Sequence, residues 1–240
     1  SRGLGDVYKR QVIIHESDIT PGLANKIAMP FAKTVCTTFP ETLKYVPKEK
    51  GIHTGTPIRA ELFTGDRQKG LEACGFDGTK PVLLQMGGSL GAVKLNDALR
   101  ESLPPLLKDF DIIHLCGKGH KEESLEGIKG YRQFEYVTDG LADLFAATDV
   151  IIARAGSNSI SEFLALKKPH LLIPLSAKAS RGDQILNAAS YEKQGFAMVL
   201  PEEELTAATM EEKVRELYAN RETYIAAMEK STQNLSLIHI

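Results

Sequence analysis

Residues 81–91 read Pro-Val-Leu-Leu-Gln-Met-Gly-Gly-Ser-Leu-Gly. Residues 81–86 form a short, mostly apolar run bounded by a proline and two glycines, the pattern of a buried strand that stops at a tight turn. Beyond Gly91, the residues Val93, Leu95, Ala98 and Leu99 recur on a 3.6-residue period, which predicts a helix. Strand, glycine turn and helix in that order are the repeating unit of a parallel α/β sheet.

Working outward, the same alternation recurs. Towards the N-terminus, residues 12–15 read as a strand ending at Glu16-Ser17-Asp18, and Pro21-Gly22 opens a helix with Leu23, Ile27 and Phe31 as its apolar face. Residues 34–38 are a further strand, and Gly55-Thr56-Pro57 is a breaker that closes this section. Towards the C-terminus, strands are predicted at 111–115, 134–137, 150–153, 170–173 and 197–200, with helices at 141–147 and 183–193 and two more from about Thr206. The fold class is therefore α/β: an open sheet from about 55 to 220, preceded by the tail of another α/β domain. In such sheets ligands bind outside the carboxyl ends of the strands.

The 240 residues are 42% hydrophobic and 25% charged, with a formal net charge of −2. That is an ordinary globular composition, without the basic excess of a dedicated nucleic-acid binder. No apolar run reaches the ~18 residues that span a bilayer. Cys36, Cys74 and Cys116 are odd in number and far apart, which argues against a disulfide framework or a zinc site and for a reducing compartment.

The two ends read as foreign. Asp-Val-Tyr-Lys-Arg-Gln at 6–11 has one coding sequence, GAT GTG TAT AAG AGA CAG, whose reverse complement encodes Leu-Ser-Leu-Ile-His-Ile, the residues at 235–240. Inverted copies of one DNA segment at both ends resemble the mosaic ends of a transposase-based sequencing adapter. Residues 1–11 and 235–240 are accordingly expected to be non-native scars and are set aside from fold reasoning.

Several turns carry chemistry-bearing residues. At Gly87-Gly88-Ser89-Leu90-Gly91 the glycines admit a phosphate to the backbone, and the N–H groups and helix dipole favour the anion; a ligandless β–α turn fits the same residues equally well. No Gly-Lys-Ser/Thr follows, so it is not a Walker A loop. The next strand ends His114-Leu115-Cys116-Gly117 without the carboxylate a dinucleotide site places on a ribose, which disfavours NAD. Arg154-Ala155-Gly156-Ser157-Asn158 is a second small-residue turn, with Ser161 and Glu162 beyond it. Glu162 suits a ribose diol, although as an isolated feature it reads better as a helix-start carboxylate. Asp183 and Gln184 open a later helix and can hydrogen-bond sugar hydroxyls; alone, they read as an ordinary helix start. Arg59 suits a diphosphate or, equally, plain solvent. His15-Glu16 offers an acid/base pair, for which a structural histidine is the commoner alternative. His114 reads as core, and Lys121-Glu122-Glu123 and Glu202-Glu203-Glu204 as solvated helix surface.

Taken in order, five segments resemble the MurG family of N-acetylglucosaminyltransferases. They are His15-Glu16-Ser17-Asp18 with Pro21 to Lys26, Gly55 to Arg59, Gly87 to Gly91, Arg154 to Asn158 with Ser161-Glu162, and Arg181 to Gln184. The resemblance implies a GT-B glycosyltransferase fold, with residues 12–53 as the end of the N-terminal acceptor domain and 54–222 as a complete C-terminal Rossmann-like donor domain. Residues 223–234 would start a closing helix. It further implies inverting transfer of N-acetylglucosamine from UDP-N-acetylglucosamine to the C4 hydroxyl of undecaprenyl-linked lipid I, giving lipid II for peptidoglycan.

By position, Arg59, Gly87, Gly88, Ser89 and Gly91 would meet the diphosphate and Glu162, beside Ser161, the ribose. The backbone at Val137 would meet the uracil, and Gln184 with Asp183 the sugar. Asp18 stands where many members carry an asparagine near the donor sugar. No cofactor, metal or nucleic acid is implied; the partners are the donor, lipid I and the inner face of the cytoplasmic membrane, which places the protein in the cytoplasm as a peripheral protein. The family's proposed general base would precede residue 12, so this chain is expected to bind donor without turning over. Two other readings share the donor domain: another GT-B UDP-sugar transferase or a UDP-sugar epimerase, and a non-catalytic nucleotide-binding module.

Overall fold

The computed structural model describes residues 11–88, 93–177 and 182–231. The described residues divide into two compact units, residues 11–57 and residues 58–231.

The first unit holds three parallel strands in the order β1 (Ile13–Glu16), β2 (Thr34–Thr37) and β3 (Gly51–His53). Its small core is Met29, Ala32, Val35 and Val46, with Ile14 packed against them. Helix α1 (Leu23–Ala28) gives way to a 3-10 turn carrying Pro30. The apolar stripe expected to face the core does not: Leu23, Ile27 and Phe31 are 70%, 63% and 78% exposed. Met29 and Ala32, on the opposite side, are the buried residues.

The second unit is a six-stranded parallel sheet built from β4 (Val82–Met86), β5 (Asp111–Leu115), β6 (Tyr131–Phe134), β7 (Val150–Ala153), β8 (His170–Leu172) and β9 (Ala197–Val199). Its spatial order is β6-β5-β4-β7-β8-β9. The order reverses between β4 and β7, so the crevice at their carboxyl ends is the topological switch point where doubly wound sheets take ligands. Helices α2 (Arg67–Cys74), α3 (Val93–Leu106), α4 (Leu141–Ala147), α5 (Ser157–Ala165), α6 (Asp183–Lys193), α7 (Ala207–Ala219) and α8 (Arg221–Glu229) accompany the sheet. The central strands are rich in apolar residues because both faces are covered; Leu83, Leu84, Ile112, Ile113, Ile151 and Ile152 are fully buried.

The strand expected at 134–137 lies three residues earlier. Ile112 pairs with Tyr131 and Leu115 with Phe134, and β5 ends there, ahead of Gly117 at φ +90°. Without a partner beyond Phe134, the apolar Tyr136 and Val137 cannot extend the ladder and enter a loop instead. Helix α2 had no strong periodic signal; it is started by Asp66, whose carboxylate accepts the N–H groups of Gln68 and Lys69.

Two histidines are fully buried. His114 Nε2 donates to Asn96 Oδ1 at 2.9 Å, and the Tyr131 hydroxyl donates to its Nδ1 at 2.7 Å. His170 Nδ1 donates to the Lys168 carbonyl at 2.7 Å between the rings of Phe163 and Tyr191. The expectation that His114 is core is met.

Helix α2 touches the start of α4 backbone to backbone. A Cβ on Gly70 would stand 2.1 Å from the Asp143 carbonyl oxygen. Helix propensity alone favours alanine at such a site by about 1 kcal/mol, whereas forced separation of packed helices costs about 1–3 kcal/mol. Gly70→Ala is therefore expected to lower stability by about 1 kcal/mol in chemical denaturation. A stabilised variant would show that the helices move apart freely.

Candidate functional site

The candidate site is the carboxyl edge of the second sheet. β4 runs into buried Gly87 and exposed Gly88. Gly88 has φ +75°, a left-handed conformation that suits glycine, and among the described residues nothing lies within 4 Å of where its Cβ would point. The backbone there is open to an approaching group. Ser89 and Gly91 lie outside the described residues.

On the other side of the switch point, β7 leads through Arg154, Ala155 and Gly156 into α5. Ala155 is fully buried, and its carbonyl accepts from Asn187 Nδ2 of α6 at 3.2 Å, which ties this turn to the next helix. Ser161 is buried and its hydroxyl donates to the Ser157 carbonyl at 2.8 Å, so that in this structure the hydroxyl is turned along its own helix. Glu162, one residue on, faces outward and pairs with Arg59. Arg59 Nη2 and Nε lie 3.1 and 3.3 Å from Glu162 Oε1. Burial pushes the Glu162 carboxyl up, and Arg59 pulls it down without fully offsetting that. Two residues 103 positions apart in sequence, both expected at the ligand, thus meet.

Asp183 is the first residue of α6, after Gly182 at φ +84°. Gln184 Oε1 accepts the Leu175 N–H at 3.1 Å, so its acceptor end holds the preceding loop. Its amide –NH2 is the end suited to a ligand oxygen. Arg181 lies outside the described residues. Val137 is half-buried in the loop after β6 rather than within a strand.

Glu202 corrects the reading of residues 202–204 as solvated surface. It pairs at 2.6 Å with Arg154, a buried guanidinium that also donates to the Ile173 carbonyl at 3.1 Å. Glu203 and Glu204 are exposed as expected. Nothing local in a run of three glutamates marks the one that finds an arginine 48 positions earlier.

In the first unit, His15 and Glu16 do not form an acid/base pair. Successive side chains on a strand point to opposite faces. His15 Nε2 lies 3.0 Å from the Gly55 carbonyl. The buried Glu16 carboxylate accepts the N–H groups of Asp18 and Gly22 and the Asn25 amide at 2.8–3.1 Å. Glu16 thereby shapes the loop at 17–22, including Asp18, whose carbonyl accepts from the Thr42 hydroxyl. Among the described residues no group of three His, Cys, Asp or Glu gathers as a metal site would require.

Residues 82–239 match the glycosyltransferase family 28 C-terminal domain. The UDP-N-acetylglucosamine–N-acetylmuramyl-(pentapeptide) pyrophosphoryl-undecaprenol N-acetylglucosamine transferase of Lachnospira eligens is 58% identical over 94% of this chain and 64% of its own length. The protein of the same name from Geobacillus thermodenitrificans is also 58% identical, over 91% of this chain and 62% of its own. The chain thus spans just under two thirds of the length of these relatives. Among solved structures, Acinetobacter baumannii MurG is similar with a TM-score of 0.71 and 26% identity, over 97% of this chain and 65% of that one. The kitacinnamycin glycotransferase shares the fold at a TM-score of 0.65 and 19% identity, over 82% of this chain and 50% of that one.

Proposed function

The chain belongs to the glycosyltransferase family 28 C-terminal domain family, and from that premise we propose that the carboxyl edge of its second sheet binds UDP-N-acetylglucosamine. The observation that carries this reading is the switch point itself, with the open Gly87-Gly88 backbone on one side and the Arg59–Glu162 pair on the other. A nucleoside diphosphate sugar needs N–H groups and a cation for its phosphates and a carboxylate for its ribose. Glu162 takes the ribose diol, Arg59 and the 87–91 turn the diphosphate, the backbone at Val137 the uracil, and the Gln184 amide with Asp183 the sugar hydroxyls.

In the whole protein the reaction is inverting transfer of N-acetylglucosamine to the C4 hydroxyl of lipid I, which yields lipid II. As the glycosidic bond to phosphate breaks, negative charge grows on the departing UDP. The backbone N–H groups at Gly87 and Gly88, together with Arg59, oppose that charge. Residues 12–53 are the end of the acceptor-side domain and 54–222 the donor domain.

The protein works at the cytoplasmic face of the membrane as a peripheral protein. The exposed stripe of Leu23, Ile27 and Phe31, flanked by the exposed Lys26 and Lys33, supports this, because apolar residues beside lysines suit an interfacial helix on anionic lipid. Among the described residues no helix is long and apolar enough to cross a membrane.

Calorimetric titration of the purified chain tests the donor assignment, with UDP-N-acetylgalactosamine and NADH alongside. Saturable binding that prefers UDP-N-acetylglucosamine is expected. A folded chain that binds none of the three, or binds NADH best, overturns it.

A further inference from the structure

Two loops at the carboxyl edge of the 58–231 sheet, and the start of a helix, are bonded to a single residue. After β9 and Pro201, residues Glu202–Glu204 make one turn of 3-10 helix. The Glu202 side chain is 13% exposed. Its Oε1 accepts from Arg154 Nη2, in the turn between β7 and α5, at 2.6 Å. Its Oε2 accepts the Ser176 backbone N–H, in the loop between β8 and α6, at 3.1 Å. Its main-chain carbonyl accepts from Lys94 Nζ, in the first turn of α3. Arg154 closes the figure by donating to the Ile173 carbonyl at the end of β8.

Such an arrangement has a cost that simple packing avoids. A desolvated ion pair gains little stability over an apolar pair of the same size, although removing one partner strands the other. What it supplies is geometry. Burial pushes the Glu202 carboxyl up, but the hydrogen bonds from Arg154 and Ser176 outweigh this and hold it below the usual carboxylate range, so it stays ionised. Ser176 also adjoins Leu175, whose N–H holds Gln184 Oε1 at 3.1 Å. A displacement at Ser176 therefore reaches the Gln184 amide through one peptide unit.

We propose that Glu202 is a positioning residue for recognition of the donor sugar: its carboxylate fixes the spacing between the Arg154-Ala155-Gly156 turn and the Leu175-Ser176 segment that holds Gln184. The inference rests on reading this edge as the UDP-sugar site. It makes Glu202 matter for the sugar end of the ligand more than for the nucleotide end, because the residue it steadies through Ser176 is Gln184.

The test compares the full chain with E202A and E202Q in titrations against UDP, UDP-N-acetylglucosamine and UDP-N-acetylgalactosamine, together with amide hydrogen exchange at Ser176. E202A is expected to bind UDP-N-acetylglucosamine about tenfold more weakly, the scale of one charge-assisted hydrogen bond. It should discriminate the two sugars less, keep most of its affinity for UDP, and exchange the Ser176 amide faster. E202Q keeps one acceptor oxygen and is expected to recover part of the sugar discrimination; if E202A fails to fold, E202Q is read against wild type by the same criteria. Wild-type discrimination in the folded variant overturns the proposal, as does an equal loss for UDP and UDP-N-acetylglucosamine, which marks a merely structural role. A wild-type chain that binds no UDP ligand overturns the functional reading instead, and Ser176 exchange that is unchanged in the variant then rejects the clamp independently.

Discussion

Lowering the pH from 7 to 5 is expected to remove about 4 kcal/mol from the stability of the 58–231 unit, through His114 and His170. Burial lowers the pKa of His114 to about 3, with the nearby Arg100 charge adding to the effect, and lowers that of His170 to about 4. An unfolded histidine titrates near 6.5. Between those values the unfolded chain binds protons that the folded chain refuses, so stability rises with pH across the window and falls as acid is added. Each histidine contributes a slope of about 1.4 kcal/mol per pH unit, and the two together about 2.7. The geometry explains the refusal. His114 already donates from Nε2 and accepts at Nδ1, so a second proton would displace the Tyr131 hydroxyl. His170 would place a cation between two aromatic rings with its one close partner already used on Nδ1. Glu162 and Asp111, both pushed up by burial, work in the opposite sense nearer the carboxylate range. The check is the urea midpoint measured from pH 7.5 to 4.5. A flat profile down to pH 5 would mean that one or both rings accept a proton while folded. Typical domains hold only about 5–15 kcal/mol in all, so the effect would dominate handling of the protein in acid.

The parts of the fold that were legible in the sequence are those set by local composition. β4, β5 and β7 are rich in apolar residues because both sheet faces are covered, and the turns after β4 and β7 are marked by Gly87-Gly88 and Gly156. The location of the candidate site on one edge followed from those turns alone. The illegible parts depend on partners distant in sequence. β6 was misplaced because its limit is set by where β5 ends, 19 residues earlier at Leu115, rather than by the apolar residues after Phe134. Phe31 and Ile27 have the spacing of a buried face, yet a break at Pro30 and the demands of Met29 and Ala32 turn them outward. Glu202 carries a charge that a linear reading assigns to solvent, whereas it lies 2.6 Å from the buried Arg154. Arg59 and Glu162 each suit a ligand by residue type, and nothing local to either shows that they face one another.

That last pairing leads to the second large effect. Glu162→Ala is expected to weaken UDP binding about 100-fold, the scale of two hydrogen bonds from a ribose diol to a charged acceptor. It should change the stability of the chain little, since the Arg59 guanidinium it abandons is half exposed. Arg59→Ala should act differently. In the wild-type chain burial raises the Glu162 carboxyl and Arg59 partly restrains it; with the cation gone, only the upward push remains. A protonated Glu162 offers the ribose a poorer acceptor, so donor binding by Arg59→Ala is expected to fail at a higher pH than that of wild type as the solution is acidified. Dissociation constants for UDP and UDP-N-acetylglucosamine measured across pH 5 to 8 separate the two roles. If Arg59 only contacts the diphosphate, its variant loses affinity by a constant factor at every pH. If it also keeps Glu162 ionised, the loss grows towards acid, and the Glu162→Ala chain shows no such growth. The same ion pair would then serve two states in turn, holding the carboxylate charged and oriented before the ligand arrives and releasing both groups to the ribose and the diphosphate once it is bound.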